Sequence, residues 1–310
     1  KIALLSEKNR VQKGDEFIIG LKFELNPGWH TYWINPGDSG LPMEINWTLP
    51  EGLEIKNIMW PSPEIAALDP LISYGYYDEL ILPILIKAND SYKEEGRFSA
   101  RLNFLVCKDV CIPEEAEIFG NLFEFSNEDI LRSQKLINIW MEKVPKGFQD
   151  RISAKISDGT FQLNWKSESA AKEVYFYPEQ EGLISYNAKQ FYKFTNKEST
   201  LTVDRPDRNK VNYDNISGIL EISDGTEKKY FVFAVLRNPM EIAITVFEKM
   251  KANSKENFTN PELFTENGGH ISKKQREKFN YIQKNNATFQ EYFLKYNTKP
   301  FDNFAGLTLD

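Results

Sequence analysis

Short β-rich runs, most of them with a period near two and each cut off by a Pro- or Gly-rich turn, recur over the first 125 residues. They are Phe17–Leu25, Glu44–Leu49, Leu80–Ile86, Phe98–Val106 and Glu117–Phe125. A period of two puts every second side chain on one face of a strand, and no helix can gather such a pattern onto one side. Asn26-Pro27-Gly28, Asn35-Pro36-Gly37 and Leu49-Pro50-Glu51-Gly52 supply the breaks between runs, because Gly, Pro and Asn favour the backbone angles of turns. Strands this short and this evenly spaced predict an antiparallel β-sandwich.

The pattern changes at Ser126. Ser126 with Asp129 three residues on makes an N-cap signal, and Ile130, Leu131, Leu136, Ile137 and Trp140 follow at helical spacing until Pro145-Lys146-Gly147. The β pattern then returns, with Gln162–Trp165, Glu173–Tyr177, Gln190–Thr195, Leu201–Asp204, Gly218–Ile222 and Tyr230–Leu236 as strands. Beyond Asn238-Pro239 the chain is polar, with weak helical periodicity in Ile242–Met250 and Lys273–Tyr296 and a loop-like or disordered stretch over Asn253–Gly269. The expectation is an all-β protein in four parts. These are a sandwich over 1–125, a helical connector over 126–147, a second sandwich over 148–238, and a helical or partly disordered tail over 239–310.

Composition agrees with two packed cores. Of 310 residues, 41% are hydrophobic and 14% aromatic, more than a disordered chain carries. The formal net charge of −7 is opposite to that of a general nucleic-acid binder. No stretch approaches the ~18 uninterrupted apolar residues that a membrane helix needs, and no basic and apolar leader opens the chain. The expectation is a soluble chain whose export signal has been removed.

Cys107 and Cys111 are the only cysteines. Along a straight strand their Cα atoms would lie ~13 Å apart, whereas a disulfide needs about 5.5 Å, so bonding requires Lys108-Asp109-Val110 to turn back between them. Three readings compete. As a staple the ring is poor, since closing about five residues stabilises by only ~2 kcal/mol in the chain-entropy model against ~4.7 for a 100-residue loop. As a redox pair it suits the labile, exchangeable class of disulfide. As a metal site it has two sulfurs and two histidines, His30 and His270, without the second cysteine pair of common zinc sites.

Further motifs give a resemblance. The run Gly28-Trp29-His30-Thr31-Tyr32-Trp33-Ile34-Asn35-Pro36-Gly37-Asp38-Ser39-Gly40-Leu41-Pro42, then Trp60-Pro61-Ser62-Pro63, Tyr74-Gly75-Tyr76 and Leu105-Val106-Cys107-Lys108-Asp109-Val110-Cys111-Ile112-Pro113, resembles the N-terminal periplasmic region of the DsbD family. The nearest branch is the suppressor-of-copper-sensitivity type, ScsB. The likeness is specific over 1–125 and looser over 126–238. It implies an immunoglobulin-like sandwich in the periplasm that acts as a protein-disulfide reductase without an organic cofactor. Cys107 and Cys111 match the redox pair. They would exchange disulfides with periplasmic thioredoxin-fold proteins and draw electrons from a membrane domain that this chain does not contain. Ser73-Tyr74-Gly75-Tyr76-Tyr77 falls where the family has an aromatic cap loop, which makes Tyr74 and Tyr76 the expected cover of the cysteines. This chain has fewer residues between its cysteines than the better-known members.

Other residues carry a plainer reading beside the chemical one. His30 is placed to give a proton to a leaving thiolate or to join Met43 or Met59 in a copper site with the cysteines, and its plain reading is an ordered turn residue. Asp38 sits in a segment too rich in turn formers for a strand, where its carboxylate either bonds backbone amides or lines the cysteine site. Cys111, at the turn exit, is the expected attacking thiol. The alternatives to the reductase are a copper-binding protein and a non-enzymatic binding sandwich with a structural disulfide.

Overall fold

The computed structural model describes residues 1–68, 70–157, 159–206, 215–236, 247, 251 and 273–296. They belong to two compact units, 1–211 with 216–235 and 212–215 with 236–310.

The first unit opens with ten strands: β1 Ile2–Ser6, β2 Glu16–Glu24, β3 His30–Gly37, β4 Glu44–Thr48, β5 Leu53–Ile58, β6 Glu64–Leu68, β7 Leu71–Tyr77, β8 Glu79–Ala88, β9 Arg97–Cys107 and β10 Cys111–Asn121. They make two sheets, ordered β1-β2-β8-β5 and β10-β9-β3-β7-β6, with β4 on the flank of β9. Alternate residues of β2, namely Phe17, Ile19, Leu21 and Phe23, are buried, as the period of two requires. In β8 the run from Leu80 to Ile84 is buried without alternation, because something covers both faces.

On the second face that cover is helix α1, Asn127–Met141. Its Ile137 is fully buried and packs where a Cβ on Gly20 would meet Ile81 at 3.2 Å, Leu5 at 3.3 Å and Ile137 at 3.4 Å. Gly20 thus lets the helix sit close. The capping box of Ser126 and Asp129 forms as the sequence indicates, each side chain bonding the other's backbone N–H.

The chain then forms β11 Lys146–Gly147, β12 Ile152–Ser157, β13 Thr160–Lys166, β14 Glu173–Pro178, β15 Phe191–Thr195, β16 Glu198–Asp204, β17 Asn215–Ser223 and β18 Lys228–Leu236. Two four-stranded sheets result, β11-β18-β17-β14 and β12-β13-β16-β15. Phe161 and Phe176, both fully buried, stack at 5.3 Å across them. Both sandwiches are of the immunoglobulin-like, all-β type.

In the other unit, α2 Lys273–Asn285 and α3 Phe289–Tyr296 enclose Phe247, Ile282 and Tyr292, with Phe289 and Tyr296 packed alongside. Leu294 is 66% exposed. The loop-like stretch expected over 253–269 lies outside the described residues.

Candidate functional site

Strands β9 and β10 form a hairpin whose register runs from Cys111 opposite Cys107 down to Asn121 opposite Arg97. Lys108-Asp109-Val110 makes the turn, and the two sulfurs at its mouth are bonded, with Cα atoms 4.2 Å apart. The ring that the spacing calls for is therefore closed.

The two cysteines have unlike surroundings. Cys107 is 2% exposed, because β9 has β3 on its other side and His30 stands directly opposite Cys107. Cys111 is exposed, since it lies on β10, the edge of its sheet. Its backbone also faces outward. A 4.2 Å spacing is that of an antiparallel pair that exchanges no backbone bonds, and such pairs alternate with bonded ones. The adjoining Lys108 N–H donates to the Val110 carbonyl at 3.2 Å, which makes that pair the bonded one. Pro113, two residues along and so pointing the same way as Cys111, has no N–H to give, and proline is tolerated at such outward positions of an edge strand. The N–H and C=O of Cys111 are thus turned towards the open edge of the sheet.

Tyr32 is the side chain that meets the exposed sulfur. Its hydroxyl lies 3.4 Å from Cys111 Sγ, and its ring is 2% exposed. His30, two residues earlier on the same face of β3, packs edge-on against that ring at 5.2 Å and against Tyr77 at 5.2 Å. The Thr31 hydroxyl donates to the Leu105 carbonyl at 3.0 Å and ties β3 to β9. On the far side of the ring lies Gly40, at φ +101°, where a Cβ would stand 2.3 Å from Tyr32 Cε1. The turn-rich segment after β3 therefore backs the tyrosine that touches the disulfide.

Burial shifts both titrating groups of β3. It raises the Tyr32 phenol above its ordinary value and lowers the His30 imidazole below its own, since burial disfavours whichever form is charged. Tyr32 so keeps its proton and can donate it to a thiolate at Cys111, which would favour that thiolate. His30 is neutral at pH 7. The unfolded chain takes up this proton more readily than the folded one, so stability is full above about pH 6.5 and declines as pH falls below it towards the lowered value of the folded imidazole. Urea unfolding should show stability declining from pH 7 to pH 5, above the range of the carboxylates, and His30→Gln should flatten that decline.

The expected cap is corrected by the structure. Ser73–Tyr77 is no loop but part of β7, hydrogen-bonded between β3 and β6. Tyr74 is fully buried among Trp33, Tyr177 and Tyr186, its hydroxyl 3.3 Å from that of Tyr175. Tyr76 is 2% exposed, stacks on Trp60 and donates to the Pro61 carbonyl at 2.7 Å. Gly75 between them allows close approach, because a Cβ there would lie 2.1 Å from the Thr31 carbonyl oxygen. Asp38 holds the base of the neighbouring loop. Its backbone N–H donates to the Ile72 carbonyl at 2.8 Å and its carboxylate accepts the Ile72 N–H at 3.0 Å. His30, expected in a turn, begins a strand. Tyr32 was hidden in the sequence by its place in an aromatic cluster, although its two-residue spacing from His30 put both on one strand face. Among the described residues no three His, Cys, Asp or Glu side chains are grouped to hold a metal.

Residues 3–122 match the family model described as "Thiol:disulfide interchange protein DsbD, N-terminal". This segment is a DsbD-family N-terminal domain. Among solved structures, the N-terminal periplasmic domain of ScsB from Proteus mirabilis is 21% identical, with a TM-score of 0.57, over 76% of this chain and 93% of that one. It shares the fold. A protein of unknown function from Porphyromonas gingivalis W83 aligns over 76% of this chain and 99% of its own at 7% identity, with a TM-score of 0.18 that is too low to bear on the fold. No curated protein matches the chain. A DsbD-type domain with its Cys107–Cys111 disulfide fits a module of thiol–disulfide exchange.

Proposed function

We propose that this chain is a periplasmic protein-disulfide reductase module in which Cys107 and Cys111 are the catalytic residues. The single observation that carries the reading is the pairing of a buried sulfur with an exposed one at an open sheet edge. A donor thiolate, delivered by a membrane electron-transfer domain, attacks Cys111 Sγ. The Cys107–Cys111 bond breaks, and Cys107 leaves with the electron pair as a thiolate. The donor's second thiolate then releases Cys111, leaving this chain a dithiol and the donor a disulfide.

In the forward step the Cys111 thiolate attacks the disulfide of a thioredoxin-fold partner and forms a mixed disulfide. Cys107 attacks Cys111 Sγ and frees the partner as a dithiol. Two electrons pass without an organic cofactor. The outward N–H and C=O of Cys111 favour this route, because an extended partner segment can bond them while its own sulfur reaches Sγ. The ScsB likeness of the fold and the family of residues 3–122 support the periplasmic setting and the thioredoxin-fold partner.

The reduction potential tests the reading. Equilibration against glutathione should give a value above the roughly −300 mV below which structural disulfides lie, with exchange on mixing with an oxidised thioredoxin-fold protein. A lower potential and no exchange would leave a structural bond.

A further inference from the structure

Strand β3 leaves its ladder just after the residues that serve the disulfide. It pairs with β7 at His30, Thr31 and Tyr32, and pairing resumes only at Gly37 opposite Ser73. In the gap stands Asn35, fully buried. Its amide nitrogen donates to the carbonyls of Pro178 at 2.7 Å and Gln180 at 3.4 Å. Its oxygen accepts the Tyr186 hydroxyl at 3.2 Å and the Gly37 N–H at 3.0 Å. Three of these four bonds go to the second sandwich and one goes to the loop behind Tyr32.

We infer that Asn35 and Tyr186 are positioning residues through which the second sandwich fixes β3 and so sets the reactivity of Cys111, an inference that rests on the exchange reading above. The connection is continuous. Asn35 holds the Gly37 N–H at the start of the loop, and Ser39 and Ser73 join their hydroxyls at 2.8 Å further along. Gly40 then abuts the Tyr32 ring, and Tyr32 meets Cys111 Sγ at 3.4 Å. That last distance leaves little margin, because a hydrogen bond to sulfur is lost after a displacement of well under ~1 Å. A hydroxyl aimed at a thiolate lowers the thiol's pKa, so its displacement reaches the rate at which Cys111 reacts. Tyr74 reinforces the junction, with its ring against Tyr177 and Tyr186. The bonds of the second sandwich end at Asn35, three residues from the tyrosine at the sulfur.

The test uses the full reduced chain and iodoacetamide, following alkylation of Cys111 by peptide mass spectrometry across pH. Tyr186→Phe removes one hydroxyl from the second sandwich and leaves the groups around the cysteines as they are: Tyr32, His30 and Tyr77 on the strands, Lys108 and Asp109 in the turn, and Glu114 and Glu115 on β10. Its profile should move to higher pH, with the rate at pH 7 falling about fivefold, the worth of one hydrogen bond. Tyr192→Phe is the control, since that hydroxyl bonds Ser199 and the Ala171 N–H within the second sandwich. It should lower stability comparably and leave the profile in place.

Asn35→Asp forms the second arm. It keeps the oxygen used by Gly37 and Tyr186, loses the donors to Pro178 and Gln180, and should shift the profile in the same direction. A folded Tyr186→Phe or Asn35→Asp chain with the wild-type profile overturns the inference, and so does an equal shift in Tyr192→Phe. Failure of the wild type to exchange with a thioredoxin-fold protein would strike the functional reading alone, because iodoacetamide needs no partner.

Discussion

Cys107→Ser, reduced and mixed with an oxidised thioredoxin-fold protein, should accumulate a mixed disulfide through Cys111, while Cys111→Ser should react at least about a hundredfold more slowly. The difference follows from position. Cys111 is exposed at the sheet edge and Cys107 is 2% exposed beneath His30. A sulfur so enclosed reacts only when the hairpin opens, and an opening free energy of ~3 kcal/mol, modest for a strand inside a sheet, already suppresses the rate about a hundredfold. In Cys107→Ser no second thiol remains to resolve the adduct, so it persists and can be counted on a non-reducing gel. Dithiobis(nitrobenzoate), a small disulfide, separates access from partner recognition. If both variants release its thiolate chromophore at equal rates, the assignment of Cys111 as the attacking sulfur is wrong.

The sheets were legible in the sequence wherever one face of a strand meets the core. Phe17–Leu25, Glu44–Leu49 and Phe98–Val106 each fall within a residue of β2, β4 and β9, because period two and burial of alternate residues are one fact seen twice. In the second sandwich, the run Glu173–Tyr177 likewise lies inside β14. Strands whose neighbours are not the core were harder to see. The first half of β10, Cys111 to Glu115, is exposed at every position and carries Pro113, so it reads as loop although it is an edge strand protected by charge and proline. The later residues of β3 hold Asn35-Pro36-Gly37, turn formers by composition that are kept in the strand by bonds of the Asn35 side chain to residues 143 and 151 positions away. No local pattern encodes such partners. The same limit applies to the site. The spacing of the cysteines gave the ring, but the side chain on the sulfur is Tyr32 rather than Tyr74 or Tyr76, because the pleat sends Tyr74 and Tyr76 into the core and to the junction with the second sandwich.

Gly40→Val should destabilise the chain by about 3 kcal/mol, the sum of a positive-φ penalty and a core clash. Gly40 has φ +101°, a conformation that β-branched residues resist, and a Cβ there would stand 2.3 to 2.7 Å from three atoms of the Tyr32 ring. The ring is buried at 2% exposure and held on other sides. His30 packs edge-on against it at 5.2 Å, and its hydroxyl already rests on Cys111 Sγ. Gly14→Val separates the two contributions, because Gly14 has a similar φ of +85° with nothing within 4 Å of its Cβ position. It should cost only the conformational part, ~1 to 2 kcal/mol. Urea unfolding of the oxidised proteins gives both numbers, and the excess for Gly40 measures the contact with Tyr32. In the reduced state, Gly40→Val should also slow alkylation of Cys111, which Gly14→Val should leave unchanged. Equal costs at the two glycines would mean that the loop does not press on the ring, and the account of how Tyr32 is held at the sulfur would fall with it.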